Sequence, residues 1–340
     1  MKLYSNEIVF RGHPDKVCDQ IAGALINAYL SGDQYSRCGI EVTGGKGKIF
    51  ITGEVTSSAL IDVKGIVRRV LEDVGYPTDY EIINNLGMQS SDIAMGTSEE
   101  DMGAGDQGMM FGYATDETPQ MLPKAMVILQ EFAKCYDILR TEDHRYLPDG
   151  KAQITGYYDD HRRLLKIKTA VISYQNTEEN RKETDGFIKA LFEKIAHNHG
   201  VEVEEYYINP TGRFEIGGFE GDAGVCGRKI VVDSYQSFAP VGGGNMNGKD
   251  PSKVDISGAY IAREFAKECL KKYGLSFCRV QLSYAIGIKR PMAIYINSDK
   301  GYIEADEEMY KRAEPLNIIN DLNMRSLDYE KAAMYGHFTK

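Results

Sequence analysis

Hydrophobic residues recur with the three- and four-residue spacing of an amphipathic helix in five segments of the chain. In the first of them, Val17, Ile21 and Leu25 share one face. Gly75 and Gly200 follow two of the segments, and a glycine in left-handed backbone commonly ends a helix. The pattern predicts helices at residues 17–28, 63–74, 128–139, 188–195 and about 255–273.

Between the helices, hydrophobic runs with the length of strands come in pairs, separated by short polar turns. Each pair predicts a β-hairpin. A further β-like run spans Ile230–Asp233. The predicted hairpins join Ile40–Thr43 to Lys48–Val55, Gln153–Tyr158 to Leu164–Tyr174, and Val280–Ile286 to Met292–Asn297.

A helix followed by a hairpin therefore occurs three times, and each occurrence takes roughly a third of the chain. A small sheet covered by helices on one face would bury the hydrophobic side of each unit. The pattern favours an α+β fold built from three similar units. Three unrelated hairpins in a mixed protein remain an alternative, because the units share little sequence.

Composition narrows the class of protein. With 42% hydrophobic residues among 340, the chain can bury a sizeable core. Its formal net charge of −10 argues against a protein that coats nucleic acid, which needs a basic surface. We find no apolar run of ~18 residues that would predict a membrane span, and no secretory signal. The six cysteines are scattered and form no CxxC pair, so we expect no structural zinc site and a cytoplasmic protein.

Candidate chemistry lies in four islands rich in glycine, aspartate and lysine. The first, GHPDK, directly precedes the first predicted helix. There His13, Asp15 and Lys16 are placed to meet an anion and its metal at the helix N-terminus. The alternative is that the aspartate only caps the helix. The second island, Gly103–Gly108, and the third, Asp149–Lys151, are also compatible with plain turns.

The fourth island, residues 210–255, is the densest. Its composition suits a polyphosphate with a stacked base, because glycines let backbone and cations approach phosphates closely, and Phe214 adjoins the first cation. A solvated basic loop is the alternative. Gly243–Lys249 spells most of a Walker A signature, but Asp250 stands where a hydroxyl must hold magnesium, which excludes a P-loop. The five cations of the island are Arg213, Arg228, Lys229, Lys249 and Lys253.

Taken in order, these islands closely resemble the motifs of the S-adenosylmethionine synthetase (methionine adenosyltransferase) family. The resemblance spans nearly the whole chain. The matching segments are GHPDK at Gly12–Lys16, GAGDQGMMFGYATDET at Gly103–Thr118, INPTGRF at Ile208–Phe214, GDAGVCGRKIVVDSY at Gly221–Tyr235, GKDPSKVD at Gly248–Asp255, QLSYAIG at Gln281–Gly287 and YGHF at Tyr335–Phe338.

The resemblance implies three similar α/β units with pseudo-threefold symmetry, each a small mixed sheet covered by helices; we place them at residues 1–98, 99–216 and 217–340. It implies a homodimer with active sites at the interface, and leaves assembly to a tetramer open. The implied reaction is attack of the methionine sulfur on the ribose C5′ of ATP, followed by hydrolysis of the tripolyphosphate. The implied cofactors are Mg²⁺, as a pair of ions in each site, and K⁺.

Carried onto the matching positions, the family's motifs imply roles for individual residues. Catalytic roles are implied for His13, Lys151, Arg228 and Lys249. ATP contacts are implied for His13, Asp106, Asp149, Lys151, Arg213, Phe214, Asp222, Arg228, Lys229, Asn245 and Lys249. Methionine contacts are implied for Glu54, Gln89, Asp222 and Lys253. Metal contacts are implied for Asp15 and Asp255 with Mg²⁺ and for Glu41 with K⁺.

The chain departs from the family pattern in three places. Ser90–Met102 is short where the family carries a mobile gate. The usual GGGAFSGKD reads GGGNMNGKD at Gly242–Asp250, and the usual GGPMGD reads GGFEGD at Gly217–Asp222. We expect differences in gating and in the range of methionine analogues there. Two other functions stay open, an ATP-dependent phosphotransferase and a non-catalytic nucleotide-binding regulatory subunit.

Overall fold

The computed structural model describes residues 2–88 and 102–338 and confirms the α+β fold class. The strands are β1 Lys2–Val9, β2 Arg37–Gly45, β3 Lys48–Thr56, β4 Glu81–Gly87, β5 Gly108–Thr115, β6 Tyr146–Tyr158, β7 Leu164–Asn176, β8 Val203–Ile208, β9 Gly224–Val225, β10 Phe277–Tyr284, β11 Ala293–Ser298 and β12 Gly301–Ile303. The helices are α1 Pro14–Gly32, α2 Val63–Val74, α3 Lys124–Glu142, α4 Arg181–Asn198, α5 Gly218–Gly221, α6 Ile230–Asp233, α7 Val254–Tyr273, α8 Glu307–Arg312, α9 Pro315–Asp321 and α10 Tyr329–Tyr335.

These strands form three four-stranded sheets. Sheet I has the order β4-β3-β2-β9, sheet II the order β1-β6-β7-β8, and sheet III the order β12-β11-β10-β5. Each is built around one of the predicted hairpins, β2–β3, β6–β7 or β10–β11, which are antiparallel. In sheets I and II the next strand along the chain pairs in parallel with the hairpin, whereas in sheet III β12 pairs antiparallel.

The three sheets exchange edge strands. The N-terminal strand β1 pairs with β6 in sheet II, β5 pairs with β10 in sheet III, and β9 pairs with β2 in sheet I. No sheet is therefore formed from one continuous stretch of the chain. The boundaries at residues 98/99 and 216/217 stay a prediction, and sheets are completed across them.

Each hairpin is covered by the long helix that precedes it. Helix α1 packs on β2, α3 on β6, and α7 on β10 and β5. These helices are buried along most of their length, because further helices cover their outer faces; α1, for example, also contacts α2 and α10. The threefold recurrence of helix and hairpin is therefore present in three dimensions. No helix within residues 2–88 and 102–338 has the length and apolar character that crossing a bilayer requires.

The helices and hairpins expected from the periodicity all form, and Gly75 ends α2 with a φ of 93°. The β-like run Ile230–Asp233 was predicted wrongly, because it is the single helical turn α6. The backbone N–H of Asp233 donates to the carbonyl of Lys229 at 2.8 Å. A run of β-branched residues favours a strand, but here the four residues form a helical turn that places the Asp233 carboxylate on the buried Lys16 ammonium.

One glycine of the Gly103–Thr118 motif is required for packing. Gly112 lies in β5 where this strand crosses α7, and a Cβ atom there would lie 2.0 Å from the carbonyl oxygen of Ala262. Glycine is required at this position because helix and strand approach each other so closely. This glycine lets β5 of sheet III pack directly on α7.

Candidate active site

The first group of candidate residues surrounds the start of α1. The N-cap residue is His13, whose Nδ1 accepts the backbone N–H of Asp15 at 3.2 Å. The alternative in which Asp15 caps the helix is therefore wrong. Its carboxylate points instead across to the segment after β9, where Oδ1 accepts the backbone N–H of Val225 at 2.9 Å and Oδ2 accepts from the Lys229 ammonium. The Arg228 guanidinium lies 3.5 Å from Oδ1.

These contacts set the charge of the pair at the helix start. Burial alone would raise the pKa of Asp15, but the hydrogen bonds from Lys229 and Val225 bring it below the ordinary value. Burial, followed by the nearby Lys229 charge, holds the pKa of His13 well below its usual range. The imidazole is therefore neutral near pH 7. Because Nδ1 is an acceptor, the ring carries its proton on Nε2.

Lys16 is not placed to meet a bound anion, contrary to expectation. Its side chain is 1% exposed, and its ammonium donates to the carboxylates of Asp19, at 3.2 Å, and Asp233. A buried ammonium is tolerated only when such partners replace water. The lysine of GHPDK is thus an internal residue of the protein.

A cleft of about 210 Å³ opens beside His13, between the start of α1, strand β6 and the loop before α5. Phe214 is half-buried at its edge, and Asp222 is exposed. Five of the predicted ATP-contact residues line it: His13, Asp149, Lys151, Phe214 and Asp222. The island Asp149–Lys151 is no surface turn, since it lies within β6 and Asp149 is 7% exposed.

Asp149 is the most perturbed carboxylate that lines this cleft. Burial raises its pKa to about 6, although the backbone N–H of Gly218 donates to Oδ2 at 2.9 Å and opposes the shift. Its own backbone N–H donates to Gln175 at 3.2 Å. The side chain is therefore held in place by α5 and can accept a hydrogen bond from a bound hydroxyl, because each carboxylate oxygen has a second lone pair.

A second group of residues, which we call the Lys249 cluster, comprises Asp106, Lys249 and Asp255. The Lys249 ammonium donates to Oδ2 of Asp255, and Asp106 is hydrogen-bonded to the same carboxylate. Burial raises the pKa of Asp255, and Lys249 opposes the rise. Gly244 is needed beside it, because a Cβ atom there would lie 1.8 Å from Oδ1 of Asp255.

Strand β2 joins this cluster to the exposed face of sheet I. Gly39 forms an isolated bridge with Lys249, and Glu54 stands opposite Gly39 on β3. Glu41, two residues further along β2, therefore shares a face with Glu54. The Asn245 amide donates to Oε2 of Glu41 at 3.5 Å and to Sγ of Cys226 at 3.1 Å. The departure of GGGNMNGKD from the family pattern thus supplies a side chain that bridges Glu41 on β2 and Cys226 just after β9.

The remaining predicted residues lie apart from these contacts or outside the described chain. Arg213 is exposed and pairs with Glu215 instead of lining the cleft. Lys253 is 6% exposed and precedes the first turn of α7, on the same element as Asp255. Gln89 falls outside the described residues, as does the gate segment up to residue 101.

Metal ligation by the chain alone is not evident. Within residues 2–88 and 102–338, no three His, Cys, Asp or Glu side chains gather as ligands. Asp15 and Asp255 are each paired with a lysine, Lys229 and Lys249 respectively. This donor set nevertheless fits Mg²⁺ held mainly by a substrate, because that ion usually takes one or two carboxylates together with phosphate oxygens and water.

Sequence reasoning missed two buried residues of the site, Asp19 and Asp233. Asp19 lies one helical turn after Asp15, so the helical spacing of the two aspartates was the available signal. Asp233 belongs to the GDAGVCGRKIVVDSY segment, but its β-branched neighbours predicted a strand, and no role was assigned to its side chain. Both are nearly inaccessible, at 0% and 4% exposure.

Comparison with known proteins identifies the family of the chain. Three domain models match in order: S-adenosylmethionine synthetase N-terminal domain at residues 1–95, central domain at 101–214 and C-terminal domain at 216–340. The chain is 39% identical to an S-adenosylmethionine synthase of Clostridium tetani, covering 99% of this chain and 94% of that protein. It is 38% identical to one of Petrotoga mobilis, covering 99% and 93%. The chain therefore belongs to the S-adenosylmethionine synthetase family.

Proposed function

We propose that this chain makes S-adenosylmethionine, phosphate and diphosphate from ATP, L-methionine and water. The observation that carries the proposal is the match of three domains of one family along nearly the full chain. The cleft beside His13 has groups that such a substrate needs: an aromatic edge for the base, a buried carboxylate for a hydroxyl, and the Lys151 cation for a phosphate.

The chemistry assigned to this cleft requires no nucleophilic side chain. The methionine sulfur attacks C5′ of the ribose, the C5′–O bond breaks, and the triphosphate leaves as an anion. The neutral His13 carries a proton on Nε2 and can donate it as a hydrogen bond to the leaving oxygen as charge grows there. Lys151, Arg228 and Lys229 supply positive charge toward the departing phosphates, and the chain otherwise aligns the reactants.

Enzymes of this family are generally metal-dependent, and we propose Mg²⁺ and K⁺ for this chain. Asp15 and Asp255 would hold Mg²⁺, which neutralises phosphate charge when bound. Each carboxylate is paired with a lysine, so these ammonium groups lie next to the proposed position of the metal and phosphates. Glu41, with its carboxylate on the exposed face of β2, is the proposed K⁺ ligand.

We also propose a homodimer with active sites between the copies. Asp15 and Asp255, both assigned to Mg²⁺, belong to different groups within one chain and pair with different lysines. A shared site would bring the cleft of one copy to the Lys249 cluster of the other. The methionine contacts Glu54, Gln89 and Lys253 belong to the same proposal, as does a cytoplasmic location.

The test is product identification with purified protein, ATP, methionine, Mg²⁺ and K⁺. We expect S-adenosylmethionine by mass spectrometry, with phosphate and diphosphate in equal amounts. ADP as the only product would favour a phosphotransferase, and ATP binding without turnover would favour a regulatory subunit. Lys151→Ala and Lys249→Ala serve as inactive controls.

The same two variants test the shared site. If Lys151 and Lys249 act in one site from different copies, mixing the inactive variants forms mixed dimers with one intact site. Random exchange would restore about a quarter of wild-type activity. No recovery after verified subunit exchange would contradict active sites at the interface.

A further inference from the structure

The buried ions behind the cleft are not used by the mechanism above. Lys16, Asp19 and Asp233 are 1%, 0% and 4% exposed, and the ammonium of the lysine contacts both carboxylates. A single ammonium shared by two buried carboxylates is an expensive arrangement for stability alone, since apolar residues of equal volume often serve as well. The contacts that these ions make with the backbone indicate what they position.

Helix α1 uses two aspartates, one turn apart, to hold the segment that carries the phosphate-facing cations. Asp15 accepts the backbone N–H of Val225, and Asp19 accepts the backbone N–H of Gly227, both at 2.9 Å. The alternate amides 225 and 227 are thus bound to one face of the helix. Gly227 has a φ of 81°, a conformation that glycine tolerates and that turns the chain toward Arg228.

The other end of the segment is held by Asp233. Its backbone N–H donates to the carbonyl of Lys229 at 2.8 Å, and its own carbonyl accepts the N–H of His337 at 3.2 Å. Its carboxylate accepts from Lys16, which also donates to Asp19. The lysine therefore links the two ends of the segment 227–233, on which Arg228 and Lys229 lie, to a single point of α1.

We propose that Asp19 is a positioning residue of the phosphate site, which together with Lys16 and Asp233 fixes the segment 227–233 so that Arg228 and Lys229 face the triphosphate. This inference rests on the proposed function. Asp19 itself touches no substrate, because its side chain is fully enclosed and both carboxylate oxygens are occupied. It acts through the backbone of Gly227.

The test measures by calorimetry how tightly the full chain binds inorganic tripolyphosphate in the presence of Mg²⁺. Asp19→Ala removes the acceptor for Gly227 and should weaken binding at least tenfold. Asp19→Asn keeps an oxygen acceptor for the Gly227 N–H but turns its amide NH2 group toward the Lys16 ammonium, so it should weaken binding less than Asp19→Ala does. In the steady state, Asp19→Ala should raise the KM for ATP and leave the KM for methionine unchanged.

A matched control separates positioning from general stability. Glu330→Gln breaks the bidentate pair of Glu330 with Arg69, at 2.7 Å for both contacts, between α10 and α2. It should lower the thermal midpoint without changing tripolyphosphate affinity. If Asp19→Ala does not fold, Asp19→Ser replaces it in the test. The serine side chain is polar but too short to reach the Gly227 N–H.

The outcomes are distinguishable. Wild-type affinity in Asp19→Ala, or equal losses in Asp19→Ala and Asp19→Asn, would overturn the positioning role and leave the proposed function intact. A wild-type chain that binds no tripolyphosphate and forms no S-adenosylmethionine would overturn the proposed function, and this inference with it.

Discussion

Replacing Asp15 by asparagine separates the catalytic contribution of this side chain from its contribution to stability. The substitution preserves the shape of the group, so the amide oxygen can still accept the backbone N–H of Val225. It removes the negative charge that faces Lys229 and Arg228. Because His13 provides the N-cap, the first turn of α1 keeps its capping contact.

The expected loss of stability is small for so buried a group. Leaving one member of a buried ion pair without its partner costs about 3–5 kcal/mol when the remaining charge stays enclosed. Here the Lys229 side chain is 16% exposed and that of Arg228 53%, so both can turn toward water. We therefore expect a loss of about 1–2 kcal/mol, which lowers Tm by only a few degrees in a chain of this size.

The expected loss of activity is much larger. With the carboxylate absent, one proposed Mg²⁺ ligand and the charge that orients Lys229 are both removed. Losing a single preorganised electrostatic contact commonly costs about 10²–10³ in kcat. We expect turnover to fall at least about 100-fold, equivalent to ~2.7 kcal/mol of transition-state stabilisation.

The assay combines S-adenosylmethionine formation across a Mg²⁺ titration with thermal unfolding of the same preparations. Glu330→Gln is the control, because it exchanges a carboxylate for an amide in a remote ion pair.

The pKa of Asp15 is lowered on folding, so the stability from its ionised form is fully present above its unfolded value of ~3.9. That stability is lost as the pH falls through the folded pKa. A Tm that collapses together with activity, or a loss of turnover below about threefold, would refute the reasoning.

Three further outcomes are expected. Folding raises the pKa of the Asp149 carboxyl to about 6, so the wild-type chain loses stability as the pH rises from ~3.9 to that value. Asp149→Asn removes the titrating group and should therefore stabilise the chain more at about pH 7.5 than at about pH 4.5. Equal effects in thermal unfolding at both pH values would contradict this. Phe214→Ala should raise the KM for ATP about tenfold, because stacking on a base contributes ~1–3 kcal/mol. Phe214→Tyr keeps an aromatic ring and should keep the wild-type KM. Similar kinetics for the two variants would exclude stacking. Gly112→Ala should destabilise the chain by about 1–3 kcal/mol or more by overpacking against Ala262, and an unchanged Tm would disprove the close approach.

The secondary structure could be predicted where local pattern and tertiary environment agree. Helices such as α2 and the hairpin β2–β3 follow from periodicity and turn residues, which need only neighbours in sequence. The exchange of β1, β5 and β9 between sheets could not be predicted in this way, because strand pairing over more than 100 residues leaves no local pattern. Helix α6 was wrongly predicted as a strand, and the buried pair of its Asp233 with Lys16, far away in sequence, likewise leaves no local pattern.

The candidate site shows a similar division. Residue types and motif order identified most of the residues that gather around His13, but could not say whether a charge is exposed or buried. Lys16 and Lys229 are the clearest pair: both lie in glycine-rich islands, yet one is enclosed between two carboxylates and the other borders solvent. Only the packing of α1 against the segment after β9 decides this, because it determines which ammonium can lose its water.

The strand exchange also explains why the candidate chemistry is concentrated in the glycine-rich islands. GHPDK follows β1 of sheet II and precedes the helix that covers sheet I; Gly103–Gly108 leads from sheet I to β5 of sheet III. The dense island starts after β8 of sheet II, contributes β9 to sheet I, and ends at the helix that covers sheet III. Strand β9 is only two residues long, so the backbone N–H groups of Val225 at its end and of Gly227 beyond it need side-chain acceptors. Asp15 and Asp19 on the adjoining helix supply these acceptors, and the Asp15 carboxylate also holds Lys229, a cation that a phosphate would contact. At Asp15, fold connectivity and phosphate chemistry therefore depend on one side chain, and because its cationic partners can reach water, a change there is expected to alter activity more than stability.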